Sequence, residues 1–195
     1  INNTKHDYRL IVDEKDLKES INNLTKAKEI CFDTETTNID ANLAELVGMS
    51  FAFEKGEAFY VPLSSDRAEC VSLLNQFKSL FEDESKLWIG QNIKYDLLVF
   101  KWYGIEIKGK FFDTMLAHYV IEPEGKRSMD ILSAKYLGYE PVHIEELIGK
   151  KGKNQGNMRD VEIEKVKEYA GEDADITLQL KYKFEPQVTQ LEVEK

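Results

Sequence analysis

The sequence predicts an α/β domain in which a mixed β-sheet is flanked by α-helices. Three observations carry this. A pair of aromatic and branched runs joined by a tight turn marks an early hairpin. Strand-like and helix-like segments then alternate along the rest of the chain. The 195 residues, 42% hydrophobic and 11% aromatic, are enough to bury one core, so a single domain over 1–195 is expected.

Taken in order, residues 8–28 (YRLIVDEKDLKESINNLTKAK) read as a short strand and a helix. Residues 29–36 (EICFDTET) form a second strand, apolar at first and acidic at its end. In 46–63 the runs 47–53 and 58–63 are the hairpin arms, with Lys55 and Gly56 at the turn. A helix is predicted over 68–83, where Val71, Leu74, Phe77, Leu80 and Phe81 recur at helical spacing. KLWIG (86–90) is a strand, and 91–104 is a helix closed by Gly104. KGKFFDTMLAHYVI gives a short strand and a helix with Asp113 as its N-cap. Short helices follow at 128–138 and in HIEELIG, a loop occupies 151–157, and a long helix is predicted over 162–184. No internal repeat or low-complexity tract interrupts this pattern.

Composition narrows the function classes. No stretch of 18 apolar residues is present, so no membrane span is expected, and the lack of a charged-then-apolar leader fits a cytoplasmic protein. Cys31 and Cys70 read as free core thiols, and two cysteines are too few for a cysteine-based zinc site. The chain starts at Ile1 and its last helix runs on without a stop signal, as expected of a piece of a longer protein. A net charge of −10 argues against a non-specific nucleic-acid binder. It leaves room for acids that hold metal ions, which in turn meet a phosphate.

Three segments send an acid toward packed surface. Asp33 and Glu35 are two apart on a strand, so they share a face and Thr34 takes the other. Two like charges that close raise each other's pKa unless a cation sits between them; a solvated strand end is the alternative. Asn92 and Asp96 are four apart and would lie on one side of an apolar helix, with Lys101 a possible partner for the acid. In YAGEDADITLQL, Ile163, Val166, Ala170, Ala174 and Thr177 make one stripe. Asp173 falls within it and Tyr169 lies one turn back, whereas Glu172 and Asp175 point away and read as solvated. No lysine or arginine stands three or four residues from Asp173. Oxygen donors without histidine or cysteine suit Mg²⁺ or Mn²⁺, and two such ions about 4 Å apart make a phosphoryl-transfer site.

The order Asp-x-Glu (Asp33, Glu35), Asn-x3-Asp (Asn92, Asp96) and Tyr-x3-Asp (Tyr169, Asp173) resembles the proofreading 3′–5′ exonucleases of the DEDDy class. FDTET, GQNIKYD, FDTML, GKGKNQ and YAGEDADITLQL resemble, in the same order, the exonuclease domain of bacterial family A DNA polymerases. The resemblance runs from about residue 8 to 185 and implies an RNase H-like fold with the carboxylate-bearing strand at its centre. It implies that Asp33, Glu35 and Asp173 hold a first Mg²⁺ or Mn²⁺, that Asp33 and, through water, Asp96 hold a second, and that Tyr169 orients the attacking water. The absence of histidine from 160–175 argues against the related histidine-bearing class.

Further roles follow from the same resemblance. Thr36, Gln91, Asn92 and Tyr95 would line the path of the last nucleotides, Ile39 would wedge between terminal bases, and Arg127 would meet a phosphate. Ile144 stands where the family often has an aromatic, and Lys150, Lys151 and Lys153 either touch the backbone or sit in a free loop. His118 and His143 read as structural or surface residues. The implied partners are a single-stranded DNA 3′ end and a polymerase domain of the same chain, with no membrane. The implied reaction releases nucleoside 5′-monophosphates. The alternatives are an RNA-trimming enzyme of the ribonuclease D kind and a catalytically silent scaffold, the latter disfavoured because all four carboxylates are present.

Overall fold

The computed structural model describes residues 5–152 and 154–191. Six strands lie side by side in the order β1 (Asp7–Leu10), β4 (Glu57–Pro62), β3 (Leu46–Glu54), β2 (Glu29–Thr36), β5 (Leu87–Gly90) and β6 (Lys110–Asp113). β3 runs antiparallel to both β2 and β4, while β1–β4, β2–β5 and β5–β6 are parallel, so the sheet is mixed as expected. β2 is interior, which explains why Ile30, Cys31 and Phe32 are all fully buried: both of its faces are covered.

The two faces carry different chemistry. On one, Ile30, Phe32, Phe51 and Trp88 meet α1 (Glu14–Lys26), α2 (Arg67–Gln76), α3 (Lys78–Phe81) and α4 (Lys94–Trp102). Phe32, Phe77, Phe81, Trp88 and Phe100 interlock there, with ring centroids 5.3–5.9 Å apart. The other face bears small side chains. Cys31, Ala52 and Ala58 pack on Ala174 and Leu178 of α8 (Ile163–Gln190), and the shortness of these residues lets the helix lie close on the sheet. The far flank of α8 packs through Ile176, Leu180 and Phe184 on α5 (Thr114–Ile121) and α6 (Met129–Leu137). A short helix, α7 (Ile144–Ile148), and a 3-10 turn at Met158–Asp160 complete the chain.

Four details depart from the sequence reading. The helix predicted over 68–83 breaks at Phe77, which is fully buried and closes α2 with a tight bond from its N–H to Leu74 O, 3.0 Å. The long helix passes residue 184 to Gln190 in spite of Pro186, because Val188 still packs on the α5/α6 cluster. The third is a correction: Asn92 is not on the helix that carries Asp96. It precedes α4 with φ 60°, in left-handed backbone. The fourth is also a correction: Glu172 and Asp175 are buried, not solvated. Over 170–181 α8 is enclosed on nearly every side, so this middle stretch has no broad wet face. Glu172 accepts hydrogen bonds from Tyr139 Oη and from Val142 N (2.7 Å). Asp175 accepts from Tyr8 Oη (2.8 Å), Gly56 N (2.9 Å) and Gln179 Nε2 (3.0 Å). These donors offset the cost of burying the acids, which tie outlying loops to the helix.

Candidate active site

The carboxyl-terminal end of β2 is where the acids collect. Asp33 pairs across the sheet with Ser50, and Glu35 with Gly48, so both side chains face α8. A bulge between Glu35 and Thr36 then turns the strand away from its partner. Gly48 is required: a Cβ there would lie 2.0 Å from Tyr60 Oη, whose ring fills the space beside it. Across from β2, α8 brings down Asp173. Ligand atoms of Asp33, Glu35 and Asp173 all lie within 4.8 Å of one another.

Asp96 arrives from α4 by another route. It is 3% exposed, and its Oδ1 accepts from Thr34 Oγ1 at 2.5 Å and Thr34 N at 3.2 Å. Thr34 does face away from Asp33, as the alternation requires, and it meets Asp96 because α4 begins just beyond the neighbouring strand β5. Lys101 plays no part in holding this acid. Sequence reasoning gave Thr34 no role, and nothing in the pattern of residues signalled one.

All four carboxylates and Tyr169 open into one cavity of about 750 Å³. Thr36, Ile39, Gln91, Asn92 and Tyr95 also line it. Thr36 Oγ1 and Tyr95 Oη lie 2.6 Å apart, and both hydroxyls also bond Asn38 O, which braces the loop after β2. Ile39 projects from that loop, 87% exposed. Ile144 and Lys151 line it as well, Lys150 is exposed, and Lys153 lies outside the described residues. Arg127 is not brought in. Its guanidinium stacks over Tyr119, 4.7 Å from the ring centroid, and donates to the carbonyls of Glu122 and Pro123. Only its backbone carbonyl touches the site wall, accepting from Gln91 Nε2 at 2.8 Å. His118 is buried against Tyr136, and His143 bonds Asp130, so neither joins the site.

The electrostatics are those of like charges crowded into one cavity. Burial pushes the Asp33 carboxyl up to about 7, against the opposing pull of the Thr34 N–H. Glu35, Asp96 and Asp173 are held well above the usual carboxylate range, by burial first and then by Asp33's charge. The Tyr169 hydroxyl is pushed up too, by burial and then by Asp173. Among the described residues no lysine, arginine or histidine pairs with any of the four acids. Glu35 Oε1 is buried and has no hydrogen-bond partner. An orphaned carboxylate oxygen inside a three-acid cluster fits a hard divalent ion.

A stability prediction follows from this arrangement. A carboxylate with a raised folded-state pKa binds protons better folded than unfolded, so its contribution to stability is full below pH ~4 and is lost as pH rises through about 7. The metal-free protein should therefore melt lower at pH 8 than at pH 6. Asp173→Asn, which deletes one of the crowded charges, should raise the melting temperature in chelator at pH 8 by roughly 2–8 °C. Calorimetric melts of both proteins check this; a variant that melts at or below the wild type refutes it.

Comparison with known proteins agrees with the geometry. A family model described as 3′-5′ exonuclease matches residues 8–189. DNA polymerase I of Pseudomonas aeruginosa is 40% identical over 183 residues, which cover 89% of this chain and 20% of that protein. The chain thus spans about a fifth of that relative's length. Among solved structures, Brucella melitensis NrnC with bound Mg²⁺ superposes with a TM-score of 0.69 at 15% identity, covering 96% of this chain and 83% of the other. Escherichia coli RNase D, an exoribonuclease involved in structured RNA processing, gives a TM-score of 0.71 at 16% identity, covering 94% and 46%.

Proposed function

Because the chain belongs to the 3′–5′ exonuclease family found in bacterial DNA polymerase I, and has its RNase H-like fold, we propose that it removes single nucleotides from the 3′ end of a DNA strand with the help of two Mg²⁺ or Mn²⁺ ions. The observation that carries this is the convergence of Asp33, Glu35 and Asp173 within 4.8 Å, beside Tyr169 and Asp96 on one cavity. Asp33, Glu35 and Asp173 would hold one cation, with Asp33 and Asp96 toward the other; the Mg²⁺ of the like-folded NrnC is consistent with the choice of ion. When bound, the cations lower the pKa of the attacking water and offset charge that develops on the phosphate.

The chain's own residues do the rest. Tyr169, beside Asp173, orients the water toward the last phosphodiester; its raised pKa keeps it a hydrogen-bond donor rather than a base. Attack at phosphorus breaks the bond to the 3′ oxygen of the preceding nucleotide, and a nucleoside 5′-monophosphate leaves. The 750 Å³ cavity is open and mixed in character, suited to stacking and backbone contacts that accept any base. Ile39, on its rim, is placed to slip between terminal bases. Arg127 would have to leave its stack on Tyr119 to meet a phosphate. The substrate is then a single-stranded 3′ end delivered by a polymerase domain of the same protein, in the cytoplasm.

The likeness to RNase D makes RNA the competing substrate. Release of 3′-labelled nucleotide from DNA and RNA strands of equal sequence separates the two. DNA is expected to be cut at least ~10-fold faster, one lost contact or clash at a 2′-OH being worth ~1.4 kcal/mol or more. Faster cleavage of RNA would transfer the reading to the ribonuclease class.

A further inference from the structure

Asp113 ends β6 and caps α5, the role its sequence position suggests, but its carboxylate reaches further. Oδ1 accepts from Met115 N (2.8 Å) and Leu116 N (3.2 Å) of its own helix. The same oxygen accepts from Asn92 N at 3.2 Å, and Oδ2 accepts from Ile93 N at 3.0 Å. Ile93 is the N-cap of α4 and its side chain cannot cap. One acid from a neighbouring strand therefore caps two helices.

What the second cap holds is the strained point of the cavity wall. Among the described residues Asn92 is the non-glycine residue with positive φ, 60°. Such backbone persists only where surroundings fix it. The next turn carries Tyr95 and Asp96. Beside it, Gln91 is held by Thr114 Oγ1 and by Arg127 O, so the whole 91–93 segment is fastened to the start of α5.

We infer that Asp113 is a positioning residue of the cavity: its two oxygens clamp the Asn92–Ile93 backbone, and through it set where Tyr95 and Asp96 stand. This rests on the nuclease reading above. Asparagine at 113 would keep the shape but have one acceptor oxygen, and would turn an N–H₂ toward a backbone N–H.

The test compares Asp113→Asn with Asp66→Asn. Asp66 caps α2 through Ala68 N and Glu69 N, both at 2.9 Å, and has no part in the cavity. Asp113→Asn should lower kcat for nucleotide release by roughly 10–100-fold at 25 °C, whereas Asp66→Asn should leave it unchanged though it too weakens a cap. Amide hydrogen exchange reads the clamp without turnover: residues 92–97 should exchange ~10-fold faster or more in Asp113→Asn only. A kcat within threefold of wild type, equal slowing in Asp66→Asn, or unchanged exchange overturns the inference. If the wild type itself releases no nucleotide, the nuclease reading fails, and the exchange measurement alone decides whether Asp113 is the clamp.

Discussion

Asp33→Ala is expected to reduce nucleotide release from a single-stranded DNA 3′ end by at least ~10³-fold at saturating Mg²⁺. After burial, Asp33's charge is the largest influence that raises Glu35, Asp96 and Asp173. Its charge reaches both the cluster beneath α8 and the acid carried by α4, so on the proposed reading its loss would take an oxygen donor from both cation positions. Several kcal/mol of transition-state stabilisation depend on that arrangement, and each 1.36 kcal/mol is tenfold in rate. Stability should not fall, because the variant also relieves crowding of like charges. Single-turnover release, with a melting curve on the same preparation, checks both halves of the claim. Asp175→Asn is the matched control: it alters a buried acid of the same fold, whose donors are Tyr8 Oη, Gly56 N and Gln179 Nε2, and it should cost stability while leaving the rate intact. An Asp33→Ala protein within tenfold of wild type would remove the catalytic role of the cluster.

How far this site could be read in advance differs by segment, for physical reasons. β2 was legible because strand alternation is rigid: Asp33 and Glu35 had to share a face, and they do. Asp173 was legible because no basic residue stood near it on α8 to explain its place in an apolar stripe. The same helix misled for Glu172 and Asp175. A helical-wheel argument assumes one wet side, and α8 is packed by the sheet, by α5 and α6 and by the hairpin turn, so the polar residues opposite the stripe are buried too. Asn92 was misplaced because the helix pattern continues into it, while its backbone is left-handed and its N–H bonds Asp113, 21 residues away at the end of β6. Thr34 was out of reach for the same reason: its partner, Asp96, is 62 residues away. Ile39 and Arg127 owe their suggested roles to resemblance alone; Ile39 stands exposed on the cavity rim, and Arg127 is stacked on Tyr119.

Removing divalent cations is expected to have the largest effect of all, abolishing release by ~10⁴-fold or more, and to do so in a pH-dependent way. Four clustered acids without a basic partner, Glu35 and Asp96 buried and Asp33 and Asp173 half-buried, are expected to take up either protons or cations. With Asp33 pushed up to about 7 and its neighbours raised as well, protons compete for the same oxygens across the neutral range. Each proton displaced on binding weakens apparent affinity about tenfold per pH unit below the group's pKa. Mn²⁺ should accordingly bind at least ~10-fold more weakly at pH 6 than at pH 8, with proton release that grows as pH falls. Calorimetric titration in two buffers of different ionisation enthalpy measures affinity and protons together, and a chelator added to the release assay measures the dependence of the chemistry. Mn²⁺ affinity that stays flat from pH 6 to 8, or release that persists in chelator, would mean that the acids are neutralised by something within the protein and that the cavity works without metal.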